Sequence, residues 1–173
     1  MKFKNFTKLS LMTLAFCTSL SITAQDKNIV ETAISSPDHT TLVAAVKAGD
    51  LVGVLSSEGP FTVFAPTNEA FAKLPNGTVE TLLKPENKAT LAKILTYHVV
   101  AGNLDAAAVL KAIKDGKGKV TLKAVSGGTL TASIKDGKVI LTDEKGGIAT
   151  VTATDLKAGN GVIHVIDAVV LPK

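Results

Sequence analysis

The apolar residues change their spacing partway along the chain, and that change constrains the fold more than any other feature. In the first part they recur at helical intervals; from about residue 120 they alternate, as in strands with one buried face. Ile29, Ala33 and Ile34 share one helical face. Leu42, Val43 and Val46 continue the theme, and after a Gly49-Asp50 break so do Leu51 and Val54. Pro85 is placed to open a helix, because the first turn needs no N–H from it. Ala89, Leu91, Ile94 and Leu95 give that helix its inner face. Asp105 is placed to cap another, with Val109, Leu110 and Ile113 inward. The second half then reads as strands: Val120, Leu122 and Ala124; Leu130, Ala132 and Ile134; Val139 and Leu141; and Ile148 to Thr152. Asp136-Gly137 is a two-residue hairpin signal, since both positions of such a turn need positive φ. Gly127-Gly128 and Gly146-Gly147 mark neighbouring turns. Val162 to Leu171 is almost continuously apolar, which predicts a central strand covered on both faces. A helical N-terminal half followed by an antiparallel β meander predicts an α+β domain.

One segment breaks the helical half. Phe61 to Ala65 alternates as a strand, Pro66 stops it, Thr67 can cap a helix, and Glu69 in the first turn suits the helix dipole. With Phe61, Phe64 and Phe71, this strand-to-helix corner reads as a core nucleus.

Residues 1–24 read as a secretory signal. Lys2, Lys4 and Lys8 form a positive start, Leu9 to Ile22 an apolar run too short to span a bilayer, and Ile22-Thr23-Ala24 an export cleavage site that makes Gln25 the new N-terminus. Cys17 offers a rival lipid-attachment reading, but Phe16 is larger than the residue such sites place before the cysteine. Residues 25–173 then form a single domain, and no second hydrophobic span follows to hold it in a membrane. The sole Cys leaves with the signal, which excludes a disulfide framework, a thiol nucleophile and a Cys metal site. A domain of this size buries roughly two-thirds of its unfolded surface, so it needs no such staple. All 19 basic residues are Lys, and 16 remain against 15 acids. A nearly balanced chain without Arg lacks the bidentate phosphate clamps of nucleic-acid binders, so no nucleic-acid partner is expected. The Lys111 to Lys123 stretch (Lys111, Lys114, Lys117, Lys119, Lys123) reads as a solvated helix end and turn, with an anionic-glycan patch as the alternative.

Little here points to catalysis. His39, His98 and His164 are not in metal-ligand spacing with one another, and no acidic calcium loop is present, so neither a metal nor another cofactor is expected. His164 and Asp167 stand three apart in a strand and face opposite ways; Tyr97 and His98 do likewise if extended. The histidines are expected to be partly buried and hydrogen-bonded. There is no Gly-x-Ser-x-Gly elbow and no phosphate-binding glycine loop. A Ser–His–acid site assembled in three dimensions stays open as a weak-hydrolase reading. One Tyr and no Trp is thin equipment for stacking sugars.

Gly59-Pro60-Phe61-Thr62-Val63-Phe64-Ala65-Pro66-Thr67-Asn68-Glu69-Ala70-Phe71 closely resembles the first signature of the fasciclin-like domain. Asn160-Gly161-Val162-Ile163-His164-Val165-Ile166-Asp167-Ala168-Val169-Val170-Leu171-Pro172 resembles the second, and Tyr97-His98 between them resembles the family's Tyr-His motif. The resemblance implies a wedge of β-strands with packed helices, used outside the cell or at its surface for adhesion and matrix binding rather than catalysis. With an export signal of bacterial style it suggests a single-domain secreted bacterial member, periplasmic, surface-held or released. The expected partner is a surface or matrix protein or polysaccharide. By analogy with adhesion sites placed near the Tyr-His motif and at an Asp-Ile pair before the second signature, the contact candidates are Tyr97, His98, Asp155 and Leu156. The acid is kept here and its neighbour is Leu. The alternative function is a carrier holding a small apolar ligand or pigment between helices and sheet.

Overall fold

The computed structural model describes residues 27–173; the signal segment and Cys17 lie outside them. The chain begins with α1 (Ile29–Ile34), a 3-10 turn (Pro37–His39), α2 (Thr40–Ala48) and α3 (Val52–Leu55). Next come β1 (Phe61–Pro66), α4 (Asn68–Ala72), α5 (Thr78–Leu82), a second 3-10 turn (Pro85–Asn87), α6 (Lys88–Tyr97), β2 (Val99–Ala101) and α7 (Ala106–Asp115). Five strands complete it: β3 (Lys119–Lys123), β4 (Thr129–Lys135), β5 (Lys138–Thr142), β6 (Ile148–Ala158) and β7 (Gly161–Ile166).

The strands form one sheet in the order β2-β1-β7-β6-β5-β4-β3. β3 to β7 are antiparallel neighbours, as the alternating pattern predicts. Asp136 and Gly137 turn β4 into β5 with φ of 52° and 76°, as the hairpin signal requires. β1 enters between β2 and β7, antiparallel to the first and parallel to the second. A Val100–Ala124 bridge and a 2.8 Å hydrogen bond from Val125 N to the Val99 carbonyl bring the two sheet ends together, so the sheet is nearly closed.

Two cores flank β1 and β7. On one side Val63, Ala65 and Ile163 pack beneath α1, α2, α3 and α6, against Ile29, Leu42, Val46, Leu55 and Leu95. On the other, Phe64 and Ile166 meet Val109 and Ile113 of α7 and the inner face of the meander, including Leu122, Leu130 and Leu141. Alternate residues of β1 thus serve opposite cores, and its burial on both faces fits its Phe-rich sequence. Phe64 is 1% exposed and Phe71 8%.

Several inward assignments fail, at helix and strand ends and, for Leu110, in the middle of α7. Ile34, Val54, Leu110 and Ile134 are exposed, and so is Ala89. The helices α1 and α3 are only 6 and 4 residues long, too short for a sustained periodic face, and they bury Val30 and Leu55 instead. Pro85 opens a 3-10 turn, and α6 starts after it. β7 ends at Ile166 rather than Leu171; Asp167 just beyond it still meets β6, its N–H donating to the Thr150 carbonyl at 3.1 Å, but there its side-chain Oδ1 takes the place of a backbone carbonyl as the acceptor for Thr150 N at 2.7 Å. β6 runs on past Thr152 to Ala158, a polar stretch without an apolar alternation to announce it. The predicted pure meander also misses β2 and the parallel β1–β7 pair.

Candidate functional site

The Tyr-His pair sits at the end of α6, not on an extended segment: Tyr97 is its last residue and His98 its C-cap. Tyr97 is fully buried. Its hydroxyl donates to the Thr129 carbonyl at 2.6 Å and accepts from Glu144 N at 3.2 Å, tying α6 to the start of β4 and to the β5–β6 turn. Burial raises its pKa above the ordinary tyrosine value. Gly128 lacks a side chain for a direct reason: a Cβ there would lie 2.6 Å from the Tyr97 ring.

His98 is 2% exposed. A carbonyl can only accept, so the 2.9 Å contact with the Ile94 carbonyl places the proton on Nδ1. Nε2 then accepts from Val170 N at 3.2 Å, which fastens the C-terminal segment to α6. Burial pushes the ring's pKa down to about 4, so it is neutral at pH 7. Neither Tyr97 nor His98 offers surface to a macromolecule in this conformation.

Asp155 and Leu156 lie at the irregular part of β6, where the β6–β7 register shifts between Ala153 and Leu156. Asp155 adopts φ 59°, which a short polar side chain tolerates at such a bulge. Its Oδ1 accepts from Ala106 N at 2.8 Å, while Asp105, the N-cap of α7, accepts from Ala108 N at 2.7 Å. Two carboxylates therefore satisfy two of the free N–H groups at the start of one helix. Asp155 also borders a groove of about 520 Å³ with Glu58, Asn103, Lys157 and Asn160. Leu156 borders a different cleft of about 210 Å³, with Ser36, His39, Ala65 and Ile163. The four candidates thus form two pairs, one buried at the end of α6 and one exposed on β6.

The signature residues are mostly occupied in holding the fold. Asn160 Oδ1 accepts from Ile29 N at 2.9 Å, and its Nδ2 donates to the carbonyls of Leu55 and Ser57 at 2.7 and 2.9 Å. Asn68 does the same for the turn before α2, accepting from Thr41 N and donating to the Pro37 carbonyl. Thr62 donates to the Gly102 carbonyl and accepts from Leu104 N.

The other histidines form no assembled acid–base site. His164 donates from Nε2 to the Leu104 carbonyl at 2.6 Å and stacks on Phe64 with ring centres 5.6 Å apart. Asp167 is engaged elsewhere, with Thr150 N and Lys73. Ser36 Oγ and His39 Nδ1 lie 2.8 Å apart, but no carboxylate meets Nε2, so the pair lacks the orienting acid of a triad. Burial lowers the His39 pKa; the Ala65 carbonyl lies near enough to oppose this without completing a hydrogen bond to Nε2. Among the described residues no three His, Cys, Asp or Glu side chains are grouped to hold a metal ion. None of the described helices is long and apolar enough to cross a membrane.

Sequence reasoning missed Lys157, Glu58 and Asn103 as groove neighbours, because they meet only through tertiary contacts between the β6 bulge and the approaches to β1 and α7. The Lys111 to Lys123 stretch, read as a helix end and turn, divides between two elements: Lys111 and Lys114 lie in α7, and Lys119 and Lys123 in β3, the strand expected over Val120 to Ala124.

Comparison with known proteins accords with this geometry. Protein sll1483 of Synechocystis sp. is 55% identical over 154 residues, covering 89% of this chain and 78% of that protein. The transforming growth factor-beta-induced protein ig-h3 of Sus scrofa is 39% identical over 136 residues; the match covers 76% of this chain but 17% of that much longer protein. Among solved structures, a FAS1 domain pair from the insect cell adhesion molecule fasciclin I superposes with a TM-score of 0.75, over 85% of this chain and 51% of that one. At 18% identity the superposition shows the shared fold. The Fasciclin domain family model matches residues 37–172, and with it this chain belongs to the Fasciclin domain family.

Proposed function

We propose that the chain is an extracellular or surface-exposed binding module that attaches to a surface or matrix macromolecule without turning it over. The observation that carries this reading is the open groove beside the β6 bulge, where the charged side chains of Asp155 and Lys157 stand exposed. Asp155 on that groove and Leu156, exposed next to it but bordering the His39 cleft, are the module's contact residues. Tyr97 and His98 serve it from behind, by fixing α6 and the C-terminal segment. A domain built around buried, hydrogen-bonded histidines and lacking an assembled nucleophile supports binding rather than catalysis. The adhesion molecule that shares the fold is consistent with that role, and export by residues 1–24 would deliver it there.

The purified chain is immobilised and screened against matrix proteins, polysaccharides and extracts of cell surfaces. Asp155→Asn keeps an acceptor for Ala106 N and removes the charge; Leu156→Ser removes the apolar contact. A saturable partner whose affinity falls about tenfold, some 1.4 kcal/mol, in the double variant supports the assignment. An unchanged affinity in a folded double variant refutes the contact residues, and a blank panel refutes the binding-module reading.

The carrier reading has one observation behind it: the space between α1, α2 and the sheet is lined almost wholly by apolar side chains, and it adjoins the His39 cleft through Ala33, Ala65 and Ile163. Its volume of about 30 Å³ is that of one water, so a pigment would have to part the helices from the sheet. A bound apolar molecule in the mass spectrum of the native protein would favour this reading.

A further inference from the structure

We propose that the outward face of the β3–β6 meander is a docking surface for an anionic polysaccharide. The proposal rests on the reading of the chain as a binding module and places a contact on strands away from Asp155.

The strand register defines the face. Thr121 lies opposite Thr131, Thr131 opposite Thr142, and Thr142 opposite Ile148, a row that crosses four strands. A second row runs from Lys119 through Ser133 and Ile140 to Thr150. Lys123 opposite Thr129 closes one end, and Lys135 opposite Lys138 the other. The intervening residues point the other way: Leu122, Leu130, Ala132, Leu141 and Ala149 are buried in the core that α7 covers. The outward positions are exposed or half-exposed, and no described helix lies over them.

The chemistry of this face favours one kind of partner. Adjacent strands stand about 4.8 Å apart, so the threonine row presents hydroxyls at a spacing on the scale of one sugar ring. No outward position of these rows carries an acid. Among the described residues the ion pairs are Lys73–Asp167 and Lys88–Asp50, which leaves the four lysines of the face uncommitted. Carboxylates at the ends of the face are Asp136 at the hairpin tip and Glu144, which is engaged by Thr129 N at 3.0 Å and the Thr129 hydroxyl at 3.2 Å. The face has no aromatic residue and no Arg, the usual anchors of protein interfaces, and no aromatic platform for a neutral sugar. Flexible ammonium groups around a field of hydroxyls suit carboxylate or sulfate groups on a hydroxyl-rich chain.

Lysines on an outer strand can serve instead to prevent edge-to-edge aggregation. That role suits Lys119 and Lys123 of β3. It does not account for Lys135 and Lys138, which stand directly opposite each other at the end of the β4–β5 hairpin, a like-charge pair that costs the sheet stability rather than guarding a long edge.

The test measures binding of the full chain to polygalacturonate and dextran sulfate, with uncharged dextran as control, by calorimetry across a salt series. The expected result is binding to the two polyanions that weakens with salt and is absent for dextran. The triple variant Lys119→Gln, Lys135→Gln, Lys138→Gln should lose about tenfold or more in affinity. Lys27→Gln, Lys47→Gln, Lys84→Gln, which removes the same charge away from the meander, should retain it. Thr131→Val with Thr142→Val, which keeps shape and charge, should weaken binding severalfold. Should the glutamine triple fail to fold, the corresponding arginine triple keeps the test alive, since it must still bind. Absent binding by the wild type, equal loss in the two glutamine triples, or indifference to the valine pair overturns the proposal. A partner lost on Asp155→Asn, Leu156→Ser but held by the face variants would leave the proposed function standing while this inference fails.

Discussion

Acid should loosen this fold through His98, and the size of the effect follows from its surroundings. The neutral ring uses both nitrogens, with Nδ1–H donating to the Ile94 carbonyl and Nε2 accepting from Val170 N. A second proton on Nε2 would face that N–H and break the tie to the C-terminal segment. In the unfolded chain the ring takes a proton at its ordinary pKa of 6.5; in the fold it does so only at about 4. Between those values the unfolded state binds more protons, so stability falls as pH falls from 6.5 and levels off below 4. The full difference is about 3 kcal/mol, most of it lost by pH 4.5. Urea unfolding at pH 7, 6, 5 and 4.5 measures it. His98→Gln offers a donor and an acceptor but does not titrate, so it should start lower and show a much flatter profile. His39, also lowered by burial, contributes in the same direction and survives in the variant, so the difference between the two curves isolates His98. A wild-type change below about 1 kcal/mol across this range, or parallel curves, would refute the argument.

Other substitutions probe separate features by the same unfolding assay. Phe64→Ala should cost about 3–5 kcal/mol, since the ring fills the core inside the wedge and supports His164; a cost under about 1 kcal/mol would mean the site collapses freely. Gly128→Ala should cost about 1–3 kcal/mol by forcing the Tyr97 ring aside, and Tyr97→Ala in the same chain should remove most of that penalty. Tyr97→Phe should cost about 1–3 kcal/mol, because it leaves Glu144 N without its acceptor. Asn160→Ala should cost a similar amount or more, as it strands Ile29 N and the carbonyls of Leu55 and Ser57 together.

The parts of the fold legible in the sequence were those set by local chemistry. Thr67 and Asp105 cap α4 and α7 as their positions predict, accepting from Ala70 N and Ala108 N. Asp136-Gly137 makes its turn with the dihedral signs expected. The meander follows from strict alternation against a single buried face. What stayed hidden depends on partners far away in the chain. β2 is three residues long, and only pairing with β1 makes it a strand. The polar end of β6 is a strand because β7 holds it. Tyr97 and His98 form a recognisable motif, but whether they face outward depends on the docking of β4 and the C-terminal segment against α6. Asp155 illustrates the converse: it is exposed, and the bond it accepts at the start of α7 comes from a residue 49 positions away in sequence.

The parallel pairing of β1 with β7 places Phe61 opposite Gly161 and Pro66 opposite Ile166. This fixes the order in which the molecule can be completed. A growing chain emerges from its N-terminal end, so β1 is made long before the strand it must lie beside. Until then each core lacks the wall that β7 supplies, and β1 presents an unpaired edge rich in phenylalanine. The helices and the β3–β5 hairpins can form from nearby residues, but closure has to join segments separated by most of the domain, a pairing of the long-range kind that slows folding. A chain that stops before Gly161 would therefore be left as an open, aggregation-prone intermediate rather than a smaller version of the domain.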